Sequence, residues 1–194
     1  MIENRAHQAG NVNVANVLTV LRLACVPLLG WLMYLGSQGS TGARDFAAVV
    51  FLAASLTDLL DGALARRRGL ETPLGALLDP IADKALIGVA LIGLSWMGDL
   101  WWWVTIVILA RELIITGMRL NIARDVVISA SRGGKVKTLL QTVAITMYLA
   151  IVPISGWELA SQVMMAAALI VTVVTGLDYF RQIRSVQRGL SGGT

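Results

Sequence analysis

The chain has 194 residues, of which 56% are hydrophobic and only 14% charged, and its mean hydropathy is +0.72. A soluble globular fold would leave too much of this apolar surface in water, so the composition excludes that class and predicts an all-α integral membrane protein. The formal net charge of +4 suits anionic lipids and anionic substrates. No nucleic-acid-binding motif accompanies this charge, so nucleic acid is not an expected partner.

The first predicted membrane helix follows a polar segment, residues 1–12, and ends near Leu35. Its length is close to the roughly 20 residues that a bilayer crossing requires. Asn16, Thr19 and Arg22 recur every three residues near its start and form one slanted polar face. This face either anchors the helix at the membrane surface or lines a site.

The second and third predicted helices carry an acidic stretch, which we define as residues 58–83. Its two halves read Asp58-Leu-Leu-Asp61-Gly62-Ala-Leu-Ala65-Arg66 and Gly75-Ala-Leu-Leu-Asp79-Pro-Ile-Ala-Asp83. At about 100° per residue, the aspartates of each helix fall on one face. If the two helices lie antiparallel across the basic turn between them, all four carboxylates converge, and Gly62 and Gly75 leave room beside them for a ligand.

Converging aspartates in a membrane require a compensating charge, since each costs about 2.5 to 3.5 kcal/mol near the centre of a membrane helix. The neighbouring arginines, residues 66–68, stand at a helix end, from which they would extend into the lipid headgroups. A hard divalent cation, Mg²⁺ or Mn²⁺, is the better compensator for clustered carboxylate oxygens. The predicted metal ligands are therefore Asp58, Asp61, Asp79 and Asp83. The alternative is a carboxylate network that pairs with basic residues of other helices.

The remaining apolar runs bring the prediction to about six membrane helices. Thr72 and Pro73 predict the start of the third helix, which ends near Trp96. The fourth runs from Trp101 to about Asn121, and the fifth and sixth cover roughly 138–154 and 159–180. A single membrane domain, residues 13–180, is followed by a tail, residues 181–194, that is basic and then disordered at its end.

A group of charged residues accompanies the fourth and fifth helices. Arg111 lies near the middle of its helix, where a charge must face protein or a water-filled cavity. A guanidinium also binds phosphate oxygens in pairs, which suggests an anion site. Alternatively, Arg111 and Glu112 neutralise each other, and Lys135 and Lys137 are ordinary cytoplasmic residues of a membrane protein.

Charge counting at the helix ends predicts the orientation. With the N-terminus inside, nearly all the basic residues of the loops face the cytoplasm and only Arg44 falls in an outer loop. The tryptophans at 96, 101–103 and 157 then mark the outer membrane surface. We therefore expect a multi-pass membrane protein with its N-terminus in the cytoplasm and the acidic stretch toward the cytoplasmic half of the membrane.

The acidic stretch resembles the signature of the CDP-alcohol phosphatidyltransferase family: D-x-x-D-G-x-x-A-R, eight residues, then G-x-x-x-D-x-x-x-D. Every fixed position of that pattern is filled. Ala110-Arg111-Glu112, Arg119 and the run from Gly134 to Gln141 are similar to the branch that makes phosphatidylglycerophosphate. The run from Asn13 to Pro27 resembles the same branch, although Ala15 stands where a proline is common. The resemblance covers residues 13–180.

This resemblance implies a homodimeric enzyme of the bacterial cytoplasmic membrane, with a polar active-site cavity open to the cytoplasm. Such an enzyme uses CDP-diacylglycerol and sn-glycerol 3-phosphate and releases CMP. It implies that the four aspartates hold one or two divalent ions and that Asp83 is the catalytic base. The residues expected to bind the CDP-lipid are Asn16, Thr19, Gly62, Ala65, Arg66 and Gly75. Those expected to bind the acceptor phosphate are Arg111, Arg119, Lys135 and Lys137.

Three alternatives remain at this stage. A sibling enzyme with an inositol phosphate or another alcohol as acceptor would keep the acidic pattern. An intramembrane prenyltransferase also uses aspartates and Mg²⁺, but its two acidic motifs are usually far apart in the chain. A Mg²⁺ channel or transporter would use the aspartates only as ion ligands.

Overall fold

The computed structural model describes residues 14–68, 73–122 and 132–191, and in these ranges the chain forms six α-helices and no strand. The helices are α1 (Val14–Ser37), α2 (Thr41–Arg68), α3 (Pro73–Trp96), α4 (Trp102–Ile122), α5 (Arg132–Leu149) and α6 (Trp157–Ser191). The all-helical class is confirmed. The predicted limits of the third helix are confirmed as well, because α3 begins at Pro73 and its last residue is Trp96.

The fifth helix is shifted toward the N-terminus relative to the prediction. It begins at Arg132, so Gly133 and Gly134 lie in its first turn rather than in a loop. Glycine is tolerated there because the first amides of a helix have no intrahelical acceptor to lose. The helix ends at Leu149 rather than near residue 154. Pro153 explains this early end, since proline disfavours helical geometry in the residue before it and cannot donate a backbone hydrogen bond.

The sixth helix is longer than the prediction of a span ending near residue 180. It continues through Ser191, so most of the segment assigned to a basic tail is helical. Arginine and glutamine, which dominate residues 181–188, are favourable helix formers, and no proline interrupts them. The predicted disordered end, residues 192–194, lies outside the described residues.

The chain divides into two compact units, with the boundary between Ala90 and Leu91 inside α3. In the first unit α1 packs along α2, and Leu29 and Phe51 are fully buried. Helix α3 contributes Ala82 and Leu86 to the buried apolar side chains. A Cβ at Gly30 of α1 would lie 3.6 Å from a methyl group of Val89, which is an ordinary packing distance.

The turn between α1 and α2 is short and locally specified. Gly39 adopts a positive φ of 95°, which an L side chain rarely takes. The hydroxyl of Ser40 accepts a hydrogen bond from the backbone N–H of Ala43 at 3.4 Å and so caps the start of α2. A Cβ at Gly36 would approach Cγ of Arg44 to 2.6 Å, so this glycine makes room for the arginine stem.

In the second unit, α4 and α5 each pack against α6. Ile108 of α4, Ile145 of α5 and Ala168 of α6 are fully buried. A buried hydrogen bond of 2.7 Å joins the hydroxyls of Ser95 and Thr105 and links the end of α3 to α4. Most of the other fully buried side chains of this unit are apolar.

Two helices in the described part are long and apolar enough to cross a membrane by length and composition, over Leu18–Ser37 and Trp157–Gln182. Only 28% of each window is buried inside the protein. A core helix of a soluble protein would be mostly buried, so the low fraction favours contact with lipid. Exposed apolar side chains such as Trp31, Val163 and Ile170 line these two helices.

Candidate functional site

The backbone of the acidic stretch is helical on both sides of residues 69–72. Asp58 and Asp61 lie on α2, and Asp79 and Asp83 lie on α3, as the spacing predicts. The side chains of Asp58, Asp61 and Asp79 lie outside the described residues. Convergence of the four carboxylates therefore stays a prediction. Among the described side chains alone, no group of three or more potential metal ligands occurs.

Asp83 is the one predicted metal ligand whose side chain is described. It retains 30% of its side-chain exposure and lies in the turn of α3 that also contains the fully buried Ala82. One carboxylate oxygen, Oδ2, is 3.4 Å from Nζ of Lys84. Both side chains are partly exposed. Asp83 is therefore accessible to a ligand, while its Oδ2 faces the ammonium group of Lys84.

A charged network centred on Glu112 connects α4 and α5 in the second unit. Oε1 of Glu112 accepts a hydrogen bond from NH1 of Arg111 at 3.1 Å and a second from Nζ of Lys137. The side chains of Glu112 and Lys137 are only 8% and 5% exposed. Such burial is tolerable because the charges are paired, whereas an isolated buried ion would be very costly. The carboxylate thus joins two of the four residues predicted to bind the acceptor phosphate.

Helix α6 fixes the other end of the Arg111 guanidinium. NH2 of Arg111 donates to the hydroxyl of Thr175 at 3.0 Å, and that hydroxyl donates back to the carbonyl of Val171 at 2.7 Å. The back-bond leaves the oxygen of Thr175 as an acceptor for the arginine. Gly176 gives the stem its space, because a Cβ there would lie 3.2 Å from Cγ of Arg111. Within the described residues, Nε of Arg111 is buried without a hydrogen-bond partner.

A hydrogen bond between α5 and α6 has the same form one turn along α6. Nε2 of Gln141 donates to the hydroxyl of Thr172 at 3.2 Å, and Thr172 donates to the carbonyl of Ala168 at 2.6 Å. Because the hydroxyl proton is already used, the amide must present its NH₂ group to Thr172. Gln141 and Thr172 are almost completely buried. The two threonines, three residues apart, therefore form a hydroxyl pair that orients a side chain from each neighbouring helix.

The structure separates Lys135 from the network around Glu112. Lys135 is exposed and stands two positions from the buried Lys137, about 200° around α5. The side chain of Arg119 lies outside the described residues. The structure therefore brings Arg111 and Lys137 together at one carboxylate but does not bring Lys135 to it.

Of the residues predicted to bind the CDP-lipid, only Thr19 has a described side chain, and it is 2% exposed. Its neighbour on the polar face of α1, Arg22, is also buried, with 4% exposure. Burial of both favours a role inside the protein over anchoring at the surface. The side chains or surroundings of the rest of this set lie outside the described part: Asn16, Gly62, Ala65, Arg66 and Gly75.

Thr172, Thr175 and Gly176 are the residues of this network that the sequence analysis missed. They follow one another at spacings of three and one on the otherwise apolar α6, and so share one face of the helix. Small and hydroxyl residues on one face of a membrane helix are a known signal of close helix packing. That signal predicts a packing face, but it does not identify Arg111 as the partner.

Comparison with known proteins gives one family and several long matches. The model of the CDP-alcohol phosphatidyltransferase family matches residues 12–174. A protein of Mycobacterium tuberculosis named "Probable phosphatidylglycerophosphate synthase" is 49% identical over 183 residues, 93% of this chain and 87% of the relative. Two proteins named CDP-diacylglycerol--glycerol-3-phosphate 3-phosphatidyltransferase are each 35% identical. The one from Rickettsia bellii matches over 87% of this chain and 94% of its own length, and the one from Bacillus subtilis over 87% and 93%.

Proposed function

The chain belongs to the CDP-alcohol phosphatidyltransferase family, and we propose that it transfers the phosphatidyl group of CDP-diacylglycerol to sn-glycerol 3-phosphate, giving phosphatidylglycerophosphate and CMP. The observation that carries this proposal is the 49% identity to a relative named as a phosphatidylglycerophosphate synthase. A match over 93% of the chain must include both the acidic stretch and the network around Glu112.

The donor set of the acidic stretch fits a hard divalent cation. It consists of four carboxylates with no histidine or cysteine, which suits Mg²⁺ or Mn²⁺ and not zinc. We propose that Asp58, Asp61, Asp79 and Asp83 would hold one or two such ions. When bound, the metal would neutralise charge on the pyrophosphate as CMP leaves.

Asp83 is proposed as the base. Its carboxylate would accept the proton of the glycerol 3-phosphate hydroxyl as that oxygen forms a bond to the phosphorus of the phosphatidyl group. The pyrophosphate P–O bond breaks, and its electron pair leaves with CMP. The partial exposure of Asp83 supports this role, since a base must be reachable by its substrate.

The acceptor phosphate would be bound by Arg111, Arg119, Lys135 and Lys137. Arg111 supports this assignment because its guanidinium is fixed at two nitrogens and keeps N–H groups for an anion. The CDP-lipid would be bound by Asn16, Thr19, Gly62, Ala65, Arg66 and Gly75. The burial of Thr19 is compatible with a residue that lines a site.

We further propose that all six helices cross the cytoplasmic membrane and that the active-site cavity opens to the cytoplasm. Basic residues concentrate in the segments that this orientation places inside, including Arg66–Arg68 and Lys135. A nucleotide could then arrive from water while the acyl chains of the donor stay in the lipid. A homodimer in contact with membrane lipids completes the proposal, and it rests on the family resemblance.

The proposed activity can be tested by measuring CMP release from the detergent-purified protein with CDP-diacylglycerol and Mg²⁺. Release is expected with sn-glycerol 3-phosphate and not with inositol phosphate or without an acceptor. Release with inositol phosphate in place of glycerol 3-phosphate would assign the chain to a sibling activity of the family. No release with any acceptor would reject a phosphatidyltransferase function.

A further inference from the structure

We propose that Glu112 is the positioning residue of the acceptor-phosphate site: its carboxylate holds the guanidinium of Arg111 and the ammonium of Lys137 in a preset arrangement. This inference rests on the proposed function, which gives the two cations their role. Glu112 would act through these two side chains and would not touch the substrate. Its expected effect is on the affinity for the acceptor and not on the affinity for the CDP-lipid.

The first argument is the charge of the network. Arg111, Glu112 and Lys137 together carry a formal charge of +1, which keeps the group attractive to a phosphate. Both cations contact the same oxygen, Oε1 of Glu112. Without the carboxylate, two buried like charges would stand side by side and would repel each other. The distance between the two cations therefore depends on Glu112.

The second argument is the fixed orientation of Arg111. One of its terminal nitrogens is held by Glu112 and the other by Thr175, while Gly176 admits the stem. A guanidinium has five N–H donors, and these two bonds use only two of them. Nε is buried without a hydrogen-bond partner in the described part of the chain, so the donors left for an anion are the second N–H groups of NH1 and NH2. A phosphate can therefore bind to donors whose direction is already set, and little side-chain freedom is lost on binding.

The third argument concerns the sign of the charge on Glu112. A carboxylate repels a phosphate, so a direct contact with the acceptor would be unfavourable. Its contacts with Arg111 and Lys137 are instead directed at cations. Its position is thus suited to hold the phosphate-binding groups from behind.

The inference is tested by kinetics of the full-length Glu112→Gln variant in detergent, with both substrates varied. We expect the KM for sn-glycerol 3-phosphate to rise about tenfold and the KM for CDP-diacylglycerol to change less than twofold. Glu158→Gln is the matched control, because Glu158 is exposed in the first turn of α6. It should change neither KM. An equal rise in both KM values for Glu112→Gln would indicate general distortion and would overturn the inference.

Two further variants keep the test decisive if Glu112→Gln does not fold. Lys137→Met retains the Glu112–Arg111 ion pair, whereas Lys137→Met combined with Glu112→Gln also replaces that ion pair with a contact to a neutral amide. The double variant should have a higher acceptor KM than Lys137→Met alone, because it also releases Arg111. Equal acceptor KM values for the two variants would overturn the inference.

The wild-type reaction separates this inference from the proposed function. If the wild type releases no CMP with sn-glycerol 3-phosphate, the proposed function fails and the inference falls with it. If the wild type is active and Glu112→Gln has an unchanged acceptor KM, only the role of Glu112 is rejected.

Discussion

The protein places charge in apolar helices in two different ways. One is the acidic stretch on α2 and α3, and the other is the network around Glu112 on α4, α5 and α6. The acidic stretch places two aspartates on each of two helices, Asp58 and Asp61 on α2 and Asp79 and Asp83 on α3. The network sets one carboxylate between two cations and adds the hydroxyls of α6. The first arrangement, as proposed, requires a bound divalent cation, whereas in the second the carboxylate is paired with cations of the chain itself.

This difference predicts two kinds of response to substitution. Removing a carboxylate from the acidic stretch should remove a group that takes part in the chemical step, so kcat should fall. Changing a residue of the network should alter the position of a binding group, so the KM for the acceptor should rise while kcat changes little. Variants in the two regions can therefore confirm or contradict this division between kcat and KM.

The largest effect is expected for Asp83→Asn. An amide cannot accept the hydroxyl proton and is a weaker metal ligand, so we expect kcat for CMP release to fall by roughly a thousandfold. The protein should still be extracted from membranes in the same yield, since Asp83 is partly exposed. The measurement is the initial rate of CMP release at saturating concentrations of both substrates.

Asp178→Asn is a suitable control for this variant. Asp178 is 54% exposed and forms an ion pair of 3.6 Å with Arg181 one turn along α6. Exposed ion pairs of this kind contribute about 0 to 1 kcal/mol to the stability of the fold. The rate of CMP release by Asp178→Asn should therefore match that of the wild type. More than a tenth of wild-type turnover in Asp83→Asn would remove Asp83 from the role of base.

An intermediate effect is expected for Gly176→Ala. The new Cβ would lie 3.2 Å from Cγ and 3.4 Å from Nε of Arg111, so the guanidinium must move. Overpacking typically costs about 1 to 3 kcal/mol, and we expect the acceptor KM to rise roughly fivefold with little change in kcat. Steady-state kinetics with varied sn-glycerol 3-phosphate measures this shift.

Gly117→Ala is the matched control, because a Cβ at this position of α4 meets nothing within 4 Å. The same chemical change should there leave the acceptor KM within about twofold of the wild type. If both variants raised the KM equally, the effect would come from helix backbone propensity and not from the position of Arg111.

The two regions also differ in how far their arrangement could be predicted from the sequence. The acidic stretch is contiguous, so helical periodicity alone places its aspartates on shared faces, and Pro73 predicts where α3 begins. In the network only the contact between Arg111 and Glu112 is local and could be predicted from the sequence. The bonds of Lys137 and Thr175 join residues 25 and 64 positions apart, which no local pattern can pair. The sequence indicated a basic cluster, but only the fold distinguishes the buried Lys137 from the exposed Lys135.

The smallest effect is expected for Lys84→Met, which tests whether the acidic stretch is also balanced from within. Lys84 and Asp83 are 27% and 30% exposed, and their charged atoms are 3.4 Å apart. An ion pair with this much exposure contributes about 0 to 1 kcal/mol to stability, so turnover of Lys84→Met at saturating Mg²⁺ should fall less than about fivefold. Removing a competing cation should also lower the Mg²⁺ concentration for half-maximal rate, by about twofold. A loss as large as that of Asp83→Asn would show that Lys84 supplies charge that the comparison assigns to the metal, and the contrast between the two regions would then fail.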